Sequence, residues 1–295
     1  MSASRRILNA PNMLLHWPQL PKRARLERVT EQTYAALTTK NDDFARGSAA
    51  GWSAMWRLLK ARPRSWINHT HFKSQITGPV TLFGRLQAGG LKGEQQLPKY
   101  VTLWLRHAYW QIDEIRERGF KPVLVLDEPL LPTYLGPSGS SRERKLLKLL
   151  RSITKRLKRR GALVGVHCCN RVSPATLVGL GVDLVHFDAF HFPTQLARAR
   201  VELQSFMRDG GIVAWGMIPA EGALSSAGQA RIEKSLGDLL ASMEGRGLPL
   251  RRVLSQSMVA PTCGTGSLSA DESQKVMDFA VALSRQLKTR YKLTL

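Results

Sequence analysis

The chain has 295 residues, 43% of them hydrophobic, and carries a formal net charge of +22 at pH 7. This length and composition allow one large buried core without a second domain. They exclude a membrane span, because no apolar stretch is long enough, and the first residues lack the apolar segment of a signal peptide. We therefore expect a cytoplasmic protein, with no membrane partner, whose three cysteines are reduced.

Short apolar runs alternate with longer amphipathic runs along the chain, and this predicts strands that alternate with helices. Residues 1–13 are expected to be irregular, a first helix to end near Thr38, and residues 39–65 to form a surface excursion. The strand candidates are residues 14–21, 74–82, 121–129, 163–169, 183–190, 211–218 and 252–263. The later helix candidates are residues 97–118, 142–160 and 226–245, and a last helix that Ser269 and Glu272 open with a capping box and that ends near Lys288.

Alternating strands and helices predict a parallel sheet, and polar residues at the carboxyl ends of the strands predict a barrel with its site on that face. The expected fold is therefore α/β, a single (β/α)8 TIM-type barrel domain over residues 1–295. The seven strand candidates are one fewer than the eight of such a barrel. We expect the first strand to be lacking or degenerate.

Residues 165–170, GVHCCN, end an apolar run with one imidazole and two thiols. Successive strand residues point to opposite faces, so His167 and Cys169 share a side and Cys168 points away. Cys263, followed by Gly264 in a second strand-to-loop segment, offers a third ligand of the same kind. Zinc favours these ligands, and catalytic zinc sites keep one position open. The alternative is that all three cysteines are small buried hydrophobes.

The positive charge is concentrated in residues 142–160, RERKLLKLLRSITKRLKRR. Leucines and isoleucine at helical spacing predict an amphipathic helix with a basic outer face. A solvated barrel helix explains this pattern, and a polyanion partner is the alternative. Because the sequence contains no recognised nucleic-acid module, we do not expect a nucleic-acid partner.

Seven motifs in one order resemble a known family. They are WPQLPK, TGPVTL, LDEP, GVHCCN, VHFDAF, IVAWGMIP and SMVAPTCGTGSLS, at residues 17–22, 77–82, 126–129, 165–170, 185–190, 212–219 and 257–269. Together they resemble the catalytic barrel of cobalamin-independent methionine synthase, within the uroporphyrinogen decarboxylase superfamily. The chain is most similar to the short, single-barrel methionine synthase II-like proteins.

The resemblance implies a role for individual residues. Three zinc (Zn2+) ligands would be His167, Cys169 and Cys263, and Asp188 falls at the position of a fourth, carboxylate ligand. The remaining implied site residues are Asp127, which would bind the homocysteine amino group, Glu128 as its catalytic neighbour, and Gln19 and Trp215 as substrate contacts. The alternative for Asp127 and Glu128 is a structural pair that caps the end of a strand.

The implied activity is zinc-dependent S-methyl transfer to a small-molecule thiol, with homocysteine as the acceptor in methionine biosynthesis. Arg85 and Ile218 stand where the family has folate-contacting residues, so the donor is either a methyl-folate or the methyl-corrinoid of a partner protein. Two other functions are open. One is metal-free decarboxylation of a tetrapyrrole on the same fold, and the other is a non-catalytic barrel retained as a binding protein.

Overall fold

The computed structural model describes residues 14–16, 50–61, 69–88, 97–136, 139–220, 226–245, 248–266 and 268–293. These residues belong to two compact units, one within Asn12–Val164 and one within Gly165–Leu295. The predicted irregular segment 1–13, the helix expected to end near Thr38, and Gln19 lie outside the described residues.

The first unit is an α/β unit in which helices separate parallel strands. Its elements are β1 (Leu14–His16), α1 (Ala50–Ala61), β2 (His71–Thr77), α2 (Pro79–Ala88), α3 (Leu97–Glu117), β3 (Lys121–Asp127), α4 (Leu131–Leu135) and α5 (Ser141–Arg159). Strand β2 pairs with both β1 and β3, and Thr77 lies opposite Asp127 at the carboxyl end of the β2–β3 pair.

The second unit follows the same alternation, beginning with the strand that enters it. Its elements are β4 (Leu163–Cys168), α6 (Pro174–Val178), β5 (Leu184–Asp188), α7 (Pro193–Arg198), α8 (Arg200–Arg208), β6 (Ile212–Ile218), α9 (Ser226–Ser242), α10 (Leu250–Ser255), β7 (Ser257–Pro261) and α11 (Ala270–Arg290). The strands pair in chain order and all are parallel. The predicted α/β class, with parallel strands and helices between them, is therefore confirmed.

The long predicted helices are present with small shifts at their ends, as α3, α5, α9 and α11. The capping box that opens α11 is also confirmed. The Ser269 hydroxyl accepts from the Glu272 backbone N–H at 3.3 Å, and the Ser269 N–H donates to the Glu272 carboxylate at 3.0 Å. These two bonds satisfy amide groups that have no partner within the helix.

The strand predicted at residues 74–82 lies earlier, at His71–Thr77. The backbone N–H of Gly78 donates to the Asp127 carbonyl at 2.7 Å, and Pro79 then opens α2. Proline suits the first position of a helix because its missing N–H is not needed there. The apolar residues after Pro79 belong to a buried helix face, and the prediction of strand for residues 78–82 is wrong.

The surface excursion predicted for residues 39–65 is wrong for the part that forms α1. Trp52 and Met55 of α1 are each only 5% exposed. They pack with the fully buried Phe72 and Ile115 in one hydrophobic cluster. The strand predicted at residues 252–263 likewise begins with a helical segment, since α10 ends at Ser255 and β7 starts at Ser257.

Candidate metal centre

Strand β4 carries His167 to the carboxyl edge of the second unit. Val166 and Cys168 are fully buried, whereas His167 on the alternate face is 7% exposed. Cys169 follows the strand end and is half-buried. This alternation agrees with the prediction that His167 and Cys169 share a side and that Cys168 turns away from them.

Cys263 is placed by the residue before it. The Thr262 N–H donates to the Ile218 carbonyl at 2.7 Å, and the Thr262 hydroxyl accepts from the Ala220 N–H at 3.1 Å. Thr262 is 3% exposed, while Cys263 is exposed. These bonds fasten the end of β7 to the end of β6 and leave the Cys263 thiol at the surface of the unit.

Gly216 of β6 allows β5, β6 and the end of β7 to lie close together. A Cβ at this position would lie 2.5 Å from the Phe187 carbonyl oxygen of β5 and 3.2 Å from the Thr262 Cα. Such a contact is below normal van der Waals distance. Because Gly216 has no side chain, Thr262, the residue before Cys263, can lie close to Phe187 of β5.

His167, Cys169 and Cys263 each offer one ligand atom, and these atoms all lie within 4.8 Å of one another. Among the described residues they form a group that could hold a metal ion. Ligands at zinc bonding distance in a tetrahedron are about 3.3 to 3.8 Å apart. A shift of about 1 Å or less in the side chains would therefore complete zinc-like geometry, so the residues fit the ion.

The electrostatics of the group also suit a cation. Interactions with Cys169, and next with His167, lower the pKa of the Cys263 thiol to about 4. The pKa of Cys169 is raised, first by its hydrogen bond to Cys263 and then by burial. Both ring nitrogens of His167 are buried and form no hydrogen bond of ordinary geometry, although the ring lies close enough to Cys263 to act on its thiol. Buried polar atoms usually have partners, so these nitrogens indicate a ligand position.

His186 is a neighbour of the group that the sequence analysis missed. It lies opposite His167 in the β4–β5 pairing, and the two ring centroids are 4.2 Å apart. Its Nε2–H donates to the Pro261 carbonyl at 2.9 Å. Its place two residues before Asp188 in the VHFDAF motif was the available signal, because two residues apart on a strand share a face.

Asp188, the predicted fourth ligand, is not part of this group. Its two carboxylate oxygens accept from the His191 N–H at 2.8 Å and from the His191 Nδ1–H at 2.7 Å. The residue is 6% exposed at the end of β5. The structure therefore holds Asp188 through His191, and its role as a zinc ligand stays a prediction.

The predicted pair Asp127 and Glu128 lies in the first unit, at the end of β3. The Glu128 carboxylate is fully buried and accepts from the Val80 N–H, the Thr81 N–H and the Thr81 hydroxyl at 3.0, 2.8 and 2.7 Å. A Cβ on Gly78 would lie 2.2 Å from its Cδ. Glu128 thus caps the start of α2, and the geometry supports a structural role for it. The substrate role of Asp127, which is partly buried, stays a prediction.

Trp215, the predicted substrate contact, is fully buried in β6. Its indole N–H donates to the Ser257 hydroxyl at 2.8 Å, and its ring meets Phe187 edge-on at 5.8 Å between centroids. The side chain therefore packs inside the second unit, and solvent does not reach it in this structure.

None of the helices in the described ranges is long and apolar enough to cross a membrane. Comparison of the chain with models of protein families and with curated protein sequences finds no match. The defining features of the chain are its parallel strands with intervening helices and the His–Cys–Cys group at the carboxyl edge of the second unit.

Proposed function

We propose that the chain is a zinc-dependent methyltransferase that transfers a methyl group to a thiol, with homocysteine as the acceptor and methionine as the product. The observation that carries this proposal is the group of His167, Cys169 and Cys263. Three protein ligands leave one position of a tetrahedral ion open, and this is typical of catalytic zinc sites. Structural zinc sites use four.

The ligand types favour zinc over the hard cations. Magnesium and calcium prefer oxygen ligands, whereas thiolate and imidazole suit zinc. A zinc ion bound by these residues would lower the pKa of a substrate thiol in the open position and hold it as a thiolate, the nucleophile for an activated methyl group. Cys263 is the exposed member of the group, so a thiol has access from its side.

The remaining parts of the proposal rest on the resemblance to the methionine synthase family. They are closure of the strands into a (β/α)8 barrel within a single domain, binding of the homocysteine amino group by Asp127, and a donor that is a methyl-folate or a methyl-corrinoid. The parallel strands and intervening helices of each unit support the first of these. The proposed enzyme would act in the cytoplasm.

Cobalt(II) in place of zinc tests the thiol-binding role directly. Thiolate ligands of cobalt(II) give charge-transfer absorption in the near ultraviolet, so homocysteine should increase this absorption in the cobalt-loaded protein. Homoserine, which carries a hydroxyl in place of the thiol, is the matched control and should leave the spectrum unchanged. A cobalt spectrum that does not respond to homocysteine would contradict thiol activation.

The donor is tested with isotopically labelled methyl groups. The zinc-loaded protein is incubated with homocysteine and either labelled methyltetrahydrofolate or labelled methylcobalamin, and methionine is analysed for the label. We expect the unaltered chain to form labelled methionine with one of the two donors. The Cys263→Ser variant should form none with either donor. If the protein binds homocysteine at the metal but neither donor yields labelled methionine, the result would contradict methyl transfer from these donor classes.

A further inference from the structure

Helix α5 (Ser141–Arg159) carries a row of cations on its exposed face. Arg144, Lys148, Arg151, Lys155 and Arg159 follow one another at intervals of three or four residues, and each is exposed. Residues at these intervals lie above one another on a helix. At 1.5 Å per residue, the row extends over about 22 Å.

The opposite face of α5 anchors the helix in the first unit. Leu150, Ile153 and Leu157 are at most 1% exposed. The helix therefore presents its cations from a fixed position. Within α5 the single acidic residue is Glu143, which is already used as the acceptor of the Gly139 N–H.

Two cations at the ends of the helix have contacts within the protein. Arg142 lies over the Tyr134 ring at 5.8 Å, and Arg160, just beyond the helix, forms an ion pair with Asp113 at 2.6 Å. Lys148 and Lys155 make no ion pair with any residue that the structure describes. Holding like charges in one row costs free energy, and a polyanion would remove that cost.

From this row we propose that α5 is a docking surface for double-stranded nucleic acid, which it contacts through the phosphodiester backbone. A straight row on a rigid helix matches the regular line of phosphates along a duplex, and such contacts carry no sequence information. Single-strand binders stack bases on aromatic side chains, and α5 contains no aromatic residue. Its outer face has no exposed large hydrophobic residue for insertion into a membrane.

No nucleic-acid partner was expected from the sequence, because it contains no recognised module. A backbone contact requires no such module, only cations at suitable spacing. The net charge of +22 acts in the same direction, because it attracts polyanions to the whole chain. The proposal is independent of the metal centre and of the methyltransferase function.

The test is binding of the full chain to a fluorescently labelled 20-base-pair DNA duplex, measured by anisotropy between 50 and 300 mM KCl. If all five cations contact phosphates, the logarithm of the binding constant should fall with a slope of about −4.5 against the logarithm of salt concentration. The Lys148→Gln/Lys155→Gln variant should bind on the order of tenfold more weakly at 100 mM salt, with a slope less steep by about 1.8.

Two further variants separate the row from general charge. Lys148→Arg/Lys155→Arg keeps both charges and should bind as the unaltered chain does. Lys234→Gln/Lys275→Gln removes two exposed charges from α9 and α11, in the other unit, and should change affinity less than twofold. Equal weakening by this control and by the α5 variant would overturn the proposal.

Other polyanions are distinguished in the same assay. An unlabelled RNA duplex should compete with the DNA duplex, and a single strand of the same sequence should compete less well. Absence of duplex binding at 50 mM salt would overturn the proposal. Tighter binding to the single strand, or displacement of the duplex by vesicles of phosphatidylserine and phosphatidylcholine, would do so as well.

Discussion

The rings of His167 and His186 stack with their centroids 4.2 Å apart and their planes inclined by 33°. The two residues are register partners on β4 and β5. The His186 ring also contacts β7, because its Nε2–H donates a hydrogen bond to the Pro261 carbonyl. His186 thus joins the strand that carries one candidate ligand to the strand that leads to Cys263.

We predict that His186→Leu weakens zinc binding about tenfold, at the low end of the range known for residues that orient metal ligands. Loss of the ring frees His167 to rotate, and loss of the hydrogen bond loosens the end of β7. His186→Phe keeps the stacking contact and should lose less affinity. Competition with a chromophoric chelator measures both constants, and an unchanged affinity for His186→Leu would show that the contact has no positioning role.

Gly216→Ala should weaken zinc binding and lower the free energy of unfolding by about 1 to 3 kcal/mol, as overpacking does. The new Cβ would push against the Phe187 carbonyl and the Thr262 Cα, and so displace the residue next to Cys263. Gly237→Ala, in helix α9, is the control, since a Cβ there meets nothing within 4 Å. That control should stabilise the chain by up to about 1 kcal/mol, because alanine favours helix. Equal zinc affinities for the two variants would exclude the steric argument.

Glu128 gives the chain a pH-dependent stability. Burial raises the pKa of its carboxyl group to about 7, against the hydrogen bonds from Thr81 and Val80 that favour the ionised form. An acid with a raised pKa in the folded state contributes stability below its unfolded pKa and loses it as the pH rises through the folded one. The loss for a shift from 4.5 to about 7 is about 3 kcal/mol, at about 1.4 kcal/mol per unit.

Glu128→Gln resembles the protonated acid at every pH. We predict that the unfolding free energy of the unaltered chain, measured in denaturant, falls by about 3 kcal/mol relative to this variant between pH 4.5 and pH 7. Comparison with the variant cancels the titration of all other groups. A difference between the two proteins that does not change over this pH range would contradict the raised pKa.

Asp188→Ala tests the predicted fourth ligand. Because both of its oxygens already accept bonds from His191, we predict that this variant changes zinc affinity less than about tenfold, the lower limit of the outer-shell range. Cys263→Ser, which removes a direct candidate ligand, should weaken zinc binding by more than about 100-fold, the upper limit of that range. If Asp188→Ala weakens binding as much as Cys263→Ser does, the carboxylate belongs to the metal centre.

The sequence was sufficient to predict that His167 and Cys169 lie together, because the two-residue period of a strand places them on one side, and it offered Cys263 only as a possible third ligand. It was insufficient for contacts between strands. The stacking of His186 on His167 depends on the β4–β5 register, and the capping of α2 by Glu128 joins residues 47 and 48 positions apart. Helix α1 was missed because basic and small residues hid the helical spacing of Trp52 and Met55.

The central claim is that His167, Cys169 and Cys263 hold one zinc ion. Elemental analysis of the untagged chain, purified under reducing conditions, tests it most directly. We predict about one zinc per chain, lost in Cys263→Ser and retained in Cys168→Ala, whose side chain faces away from the group. No zinc in the unaltered chain and no uptake of added zinc, or full retention of zinc by Cys263→Ser, would contradict the account.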